Sequence, residues 1–196
     1  DIVLIGHKGH PEVIGTLGRH PADSDTKIYL VEDHADIKQL EINSAEIAYV
    51  TQTTLSVDET KELIEALQSK YPQIIGPSAD DICYATQNRQ DAVKQLSLEC
   101  EIVLVIGSKT SSNSNRLKEL AEKCGTKSFL IDGKTDINIE ELKHASSVGI
   151  TAGASAPEEI VQEVISFLFP LGYKTVRNLS ENNESMTFKL PKELTD

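Results

Sequence analysis

Val105-Ile106-Gly107-Ser108-Lys109-Thr110-Ser111-Ser112-Asn113-Ser114-Asn115 decides the fold. An apolar run too short for a helix ends abruptly in a glycine. A loop of small hydroxyl and amide residues follows and opens a helical pattern. The same strand-loop-helix grammar occurs three more times. Ile5-Gly6-His7-Lys8-Gly9-His10-Pro11-Glu12 places Pro11 where a helix tolerates proline, at its first position. Tyr49-Val50-Thr51-Gln52-Thr53-Thr54 precedes a helix start at Ser56-Val57-Asp58. Gly149-Ile150-Thr151-Ala152-Gly153-Ala154-Ser155-Ala156-Pro157 completes the set.

Working outward, the apolar runs predict strands over Ile2–Ile5, Lys27–Val31, Glu46–Val50, Ile102–Ile106, Lys127–Ile131 and Ser147–Ile150. Helical periodicity predicts helices over Asp58–Lys70, with Leu63, Ile64 and Leu67 on one face, and over Gln87–Leu98, Asn115–Lys123 and Pro157–Leu168. Alternation of strand and helix through short loops implies right-handed crossovers and parallel sheets. The fold class expected is α/β, with two Rossmann-like βαβ units. Tyr71–Pro77, with two prolines and a glycine, marks the boundary. The expected division is therefore a first unit over 1–77, a second over 78–169, and a tail over 170–196 in which Met186–Leu190 alternates like an edge strand. Ile2–Ile5 reads as a buried parallel strand, which needs neighbours and a preceding crossover. Because the chain starts on Asp1 without a methionine, its natural beginning is expected upstream.

Composition narrows the function classes. The 196 residues carry a net charge of −12, a field that repels nucleic acid and other polyanions. An anionic ligand must therefore be held by local dipoles and hydrogen bonds. No apolar run is long enough to span a bilayer, so no membrane partner is expected. The three cysteines, Cys83, Cys100 and Cys124, form no CxxC pair, and their odd count and wide spacing point to a reducing, cytoplasmic setting.

Open α/β sheets bind ligands at the carboxyl ends of their strands, where helix N-termini present unpaired N–H groups. Several such loops converging on one cleft would make an anion site without using net positive charge. For a single loop, helix capping is the better explanation of a Ser, Thr or Asn. Ser111-Ser112-Asn113-Ser114-Asn115 has more such groups than one cap needs. No loop matches a dinucleotide fingerprint or a P-loop, so no nucleotide is implied. His10 and Glu12 flank Pro11 at a helix mouth, where imidazole suits an anion and a carboxyl group suits proton transfer; an exposed histidine and a dipole-favoured first-turn glutamate fit the same spacing. His7 has the same placement and a weaker case, and His20, His34 and His144 read as surface. Cys83 precedes a helix, a position that stabilises a thiolate for nucleophilic or metal-binding chemistry. Cys100 and Cys124 read as packing residues.

Together, GHKGHPE (Gly6–Glu12), TQTTLS (Thr51–Ser56), DDICYAT (Asp80–Thr86), GSKTSSNSNRL (Gly107–Leu117) and TAGASAP (Thr151–Pro157) resemble the 4-hydroxy-3-methylbut-2-enyl diphosphate reductase family, in its motif order and over essentially the whole chain. The resemblance implies an architecture of three α/β units, of which this chain holds two, the first lacking its natural beginning. It implies reductive dehydroxylation of an allylic alcohol diphosphate to isopentenyl and dimethylallyl diphosphates. It also implies a 4Fe-4S cluster on three cysteines, with electrons from ferredoxin or flavodoxin. By resemblance Cys83 is one cluster ligand, His10 contacts the diphosphate, and Glu12 passes the proton that helps the hydroxyl leave. Thr53 orients substrate and the proton path, while Ser111, Ser112, Asn113 and Ser155 bind the diphosphate. The two further cluster cysteines belong to an N-terminal region outside these residues, so the isolated chain is expected to be inactive. The rival readings are a non-catalytic anion-binding module, and a cofactor-independent racemase or isomerase using Cys83 as base. The racemase would need a second acid or base opposite Cys83, and no equivalent loop carries another cysteine.

Overall fold

Ile102–Ile106, the fourth strand (β4), is aliphatic at every position and buried at every position. Such a strand must have a covered face on each side, and alternation of side chains distributes its residues between them. Ile102, Leu104 and Ile106 join one core cluster, while Val103 and Val105 join another. Full burial contributes about 2 kcal/mol per aliphatic side chain, which makes β4 the centre of its unit.

The computed structural model describes residues 1–77, 81–179, 187 and 189–194. In chain order the elements are β1 (Ile2–Ile5), α1 (Pro11–Gly18), β2 (Ile28–Val31), α2 (His34–Gln39), β3 (Ala48–Thr51) and α3 (Val57–Lys70). There follow α4 (Tyr84–Glu99), β4, α5 (Ser112–Lys123), β5 (Lys127–Ile131), α6 (Ile139–Leu142), β6 (Val148–Ala152) and α7 (Glu158–Leu168). Among the described residues two three-stranded sheets form, ordered β2-β1-β3 and β5-β4-β6, with every pairing in them parallel. The α/β class with parallel sheets is as the sequence indicated.

β1 takes both of its neighbours, β2 and β3, from later in the chain. Val3 and Ile5 pack into a core with Ile37 of α2 and Leu63 and Leu67 of α3. In the second unit, Val93 of α4 and Leu117, Leu120 and Ala121 of α5 cover one face of β4. Leu142 of α6 and Val164 and Leu168 of α7 cover the other.

Several boundaries differ from the sequence expectation for local reasons. The helix expected over Asn115–Lys123 starts at Ser112, because the Ser111 hydroxyl caps it by accepting the Ser114 N–H at 3.3 Å. The helix expected over Gln87–Leu98 starts at Tyr84, in the segment immediately after Cys83. α2 carries too few apolar residues for a clear period, yet Asp33 caps it through the N–H groups of Ala35 and Asp36. The Lys70 ammonium donates to the carbonyls of Ile37 and Lys38 at its far end. Of the expected edge strand over Met186–Leu190, Met186 and Phe188 lie outside the described residues.

The proline-flanked stretch after α3 runs along the edge of β3. Ile75 donates to the Ile47 carbonyl and accepts from Tyr49, forming a parallel bridge that covers part of this edge. Gly76 is required there, since a Cβ would lie 2.4 Å from the Tyr49 hydroxyl oxygen.

Candidate functional site

In a parallel sheet every strand ends at the same edge. The loops after β1, β3, β4 and β6 therefore leave from corresponding edges of the two sheets, each entering a helix N-terminus. Gln52 joins these edges. It is fully buried, and its carbonyl oxygen accepts the His7 N–H at 3.0 Å. Its amide nitrogen donates to Thr54 Oγ1 at 2.9 Å and to Ser112 Oγ at 3.4 Å, and Thr54 Oγ1 donates to Ser112 Oγ at 2.9 Å. One amide side chain thus links loops from three strands. Gly6 lies beneath it, where a Cβ would come within 2.7 Å of Val13 Cγ2 and 3.2 Å of Gln52 Cβ.

The fourth loop docks on the third. Gly153 N–H donates to the Ile106 carbonyl at 2.8 Å. Ser114 Oγ fills the gap between them; a Cβ on Gly107 or on Gly153 would meet it at 2.2 or 2.3 Å. From the α4 side, Arg89 Nη1 donates to the Ala152 carbonyl at 2.7 Å.

The sequence-derived candidates take defined places within this arrangement. His10 is the N-cap of α1, and its Nδ1 accepts the Glu12 N–H at 3.3 Å. Gly9 enters that turn at φ +85°, a left-handed conformation that suits glycine. The Glu12 carboxylate is held by Thr53, which donates its N–H to Oε1 at 2.9 Å and its hydroxyl to Oε2 at 3.1 Å. On its other side the Thr53 carbonyl accepts the Cys83 N–H at 3.0 Å. Cys83 is the N-cap of α4 and makes no side-chain cap bond, and it is exposed. An acid, a hydroxyl and a thiol therefore sit on successive hydrogen-bonded positions.

Ser111 caps α5 and also accepts the Ser114 hydroxyl at 3.1 Å. Ser112 receives both Gln52 and Thr54. Asn113 is 7% exposed, yet neither its amide nitrogen nor its carbonyl oxygen meets a partner among the described residues. Buried amides are ordinarily satisfied, so these two orphaned atoms at a helix N-terminus leave a donor and an acceptor open to a further partner. Ser155 is exposed in the turn ahead of α7. Gln52 escaped the sequence reading although its loop did not; a glutamine among threonines gives no local sign of burial.

Cys83 offers one thiol suited to a metal centre. Cys100 and Cys124 close the C-terminal ends of α4 and α5, just before β4 and β5 begin, and so lie at the opposite edge of the sheet from Cys83. Burial also pushes the Cys100 thiol pKa up, which disfavours a ligating thiolate. Among the described residues no three His, Cys, Asp or Glu side chains group as a metal site. No helix among the described residues is long and apolar enough to cross a membrane.

The fold and site define an α/β protein with two parallel sheets, whose strand-end loops bring small hydroxyl and amide side chains together beside the Glu12 carboxyl group and the Cys83 thiol. The LytB protein family model matches residues 1–169, and the chain belongs to that family. It is 55% identical over 195 residues to the 4-hydroxy-3-methylbut-2-enyl diphosphate reductase of Saccharophagus degradans, covering 99% of this chain and 63% of the relative. The Chromohalobacter salexigens protein of the same name is 56% identical over 197 residues, covering 100% of this chain and 62% of its own length. Among solved structures, the E-1-hydroxy-2-methyl-but-2-enyl-4-diphosphate reductase from Plasmodium falciparum superposes with a TM-score of 0.90 at 34% identity. That match covers 98% of this chain and 60% of the other. The chain thus spans under two thirds of the length of these relatives.

Proposed function

We propose that this chain supplies the diphosphate site, the proton donor and one cluster ligand of a 4-hydroxy-3-methylbut-2-enyl diphosphate reductase. The units 1–77 and 78–169 provide two of its three α/β bodies. The observation that carries the reading is Thr53, hydrogen-bonded to the Glu12 carboxylate on one side and to the Cys83 N–H on the other.

The overall reaction takes two electrons and two protons into the allylic alcohol, breaks its C–O bond and releases water. Glu12 delivers a proton to the departing hydroxyl, and Thr53 holds the carboxyl group in place. The alternative acid in the same loop, His10, faces the diphosphate with the α1 N-terminus behind it. Ser111, Ser112, Asn113 and Ser155 donate to the phosphate oxygens, and Asn113 brings amide atoms that have no other partner. Neutral donors suit a protein of net charge −12, because they bind an anion without needing a basic patch. A 4Fe-4S cluster, when bound, would supply the electron transfer that the reduction needs. Cys83 is one ligand, and two further thiolates come from outside these 196 residues. Ferredoxin or flavodoxin is the electron source.

The test uses the complete protein, reconstituted anaerobically and assayed for bound iron, sulfide, visible absorption and turnover of the allylic diphosphate. Cluster and activity are expected, and Cys83→Ser is expected to remove both; the 196-residue chain alone should hold no stable cluster. A stoichiometric cluster on the isolated chain, or full iron content after Cys83→Ser, would overturn the ligand assignment. Pyrophosphate binding without a cluster or turnover in the complete protein would favour a non-catalytic anion-binding module instead.

A further inference from the structure

Arg116 lies in the second turn of α5, past the residues of this helix start assigned to the diphosphate. Its side chain is only 15% exposed. One arm of the guanidinium, Nη2, meets His7 Nε2 at 2.9 Å. The other arm, Nη1, pairs with Glu119 at 2.7 Å and Glu59 at 3.3 Å. Lys123 also pairs with Glu59. Buried Nε has no partner among the described residues, so the group is held by its two arms.

We propose that Arg116 is a positioning residue, which fixes His7 as the Nδ1–H tautomer and thereby holds the Gly6–Glu12 loop in register with the N-terminus of α5. A guanidinium only donates, so the ring nitrogen that faces it must accept. That leaves the imidazole proton on Nδ1. Free imidazole side chains in water favour the opposite tautomer, so the contact has a consequence that can be read directly.

The rest of His7 carries the constraint onward. Its N–H donates to Gln52 at 3.0 Å, and its carbonyl accepts the His10 N–H at 3.1 Å. His10 in turn accepts the Glu12 N–H. A ring pinned to α5 therefore sets where His10 and Glu12 stand relative to Ser112 and Asn113, which lie on the same helix as Arg116. Two units are being aligned, and a lysine would not substitute fully. An ammonium is a point charge and cannot span His7 and the two carboxylates with a planar fork. The functional half of this inference rests on the diphosphate reading above, whereas the tautomer does not.

The experiment uses the full-length protein with nitrogen-15-labelled histidine at mildly alkaline pH. Long-range nitrogen–proton correlations should show His7 protonated on Nδ1, and Arg116→Met should shift it to the Nε2–H form. Inorganic pyrophosphate binding, followed by calorimetry, should weaken about tenfold in Arg116→Met, the loss expected when one charge-assisted positioning contact goes. His7→Gln, which keeps an acceptor for Arg116, should retain more affinity than His7→Leu, and this pair decides the matter if Arg116→Met does not fold. An unchanged tautomer in Arg116→Met, equal affinity in that variant and the wild type, or equal losses in the two His7 variants would overturn the proposal. Absence of any pyrophosphate binding by the wild type, with the tautomer shift intact, would instead refute the diphosphate site while leaving the Arg116–His7 contact standing.

Discussion

Glu12 and Thr53, 41 residues apart, meet through two hydrogen bonds: both carboxylate oxygens are occupied, one by the Thr53 N–H and the other by its hydroxyl. This bidentate grip sets the direction of the carboxyl group as well as its position. In Glu12→Gln the amide NH2 must face a donor on Thr53, so one of the two bonds is lost or reversed. In the complete protein, turnover of the allylic diphosphate proposed above is expected to fall about a hundredfold or more, because the amide cannot deliver a proton. Pyrophosphate affinity should stay near the wild-type value. Steady-state kinetics and calorimetry on the same preparation check this, and wild-type turnover in the variant would remove Glu12 from the mechanism.

Asn113 sets stability against binding. Its amide atoms are buried without partners, an arrangement that costs about 1–3 kcal/mol unless a ligand satisfies them. Asn113→Leu preserves the side-chain shape and removes both orphaned atoms. Its unfolding free energy in denaturant should rise by about 1 kcal/mol, while pyrophosphate binding weakens. A variant that loses stability and keeps its anion affinity would mean that Asn113 is satisfied within the protein.

Ser114 separates two glycines that look alike in sequence. Gly153→Ala and Gly107→Ala should each destabilise the fold by about 1–3 kcal/mol, since both methyl groups strike Ser114 Oγ. Adding Ser114→Ala should rescue Gly153→Ala, because the new methyl then lies 3.5 Å from the Ser114 Cβ, an ordinary contact. It should rescue Gly107→Ala poorly, because there the Cβ distance is 2.8 Å. A double-mutant cycle of unfolding free energies tests this, and equal rescue of the two glycines would contradict the packing described.

Much of this was legible along the chain. Aliphatic runs marked β1 and β4 to the residue, because burial on both faces demands apolar side chains at successive positions; β5 also spans the expected residues, although it opens on an exposed Lys127 and a polar Ser128. Glycine and proline punctuation marked where those strands end and helices begin. The motifs identified the family, whose model matches residues 1–169; residue types suited to acid and thiolate chemistry singled out Glu12 and Cys83 as candidates, and Thr53 became one through the resemblance alone. Helix starts were less legible: Ser111 and Asp33 begin α5 and α2 through capping bonds, and capping residues do not show in an apolar period.

Only the tertiary structure decided which loops meet. Chain reversal through the crossovers sets the strand orders β2-β1-β3 and β5-β4-β6, and periodicity carries no record of that order. Gln52 was invisible as a linker because its role depends on His7 and Ser112 arriving on either side of one buried amide. Arg116 and His7 are 109 residues apart, and nothing near either one requires the other. Local sequence determines which side of a segment avoids water, since that depends on each side chain alone; a hydrogen bond across the fold depends on two backbones reaching the right separation and angle, which only the packed whole supplies.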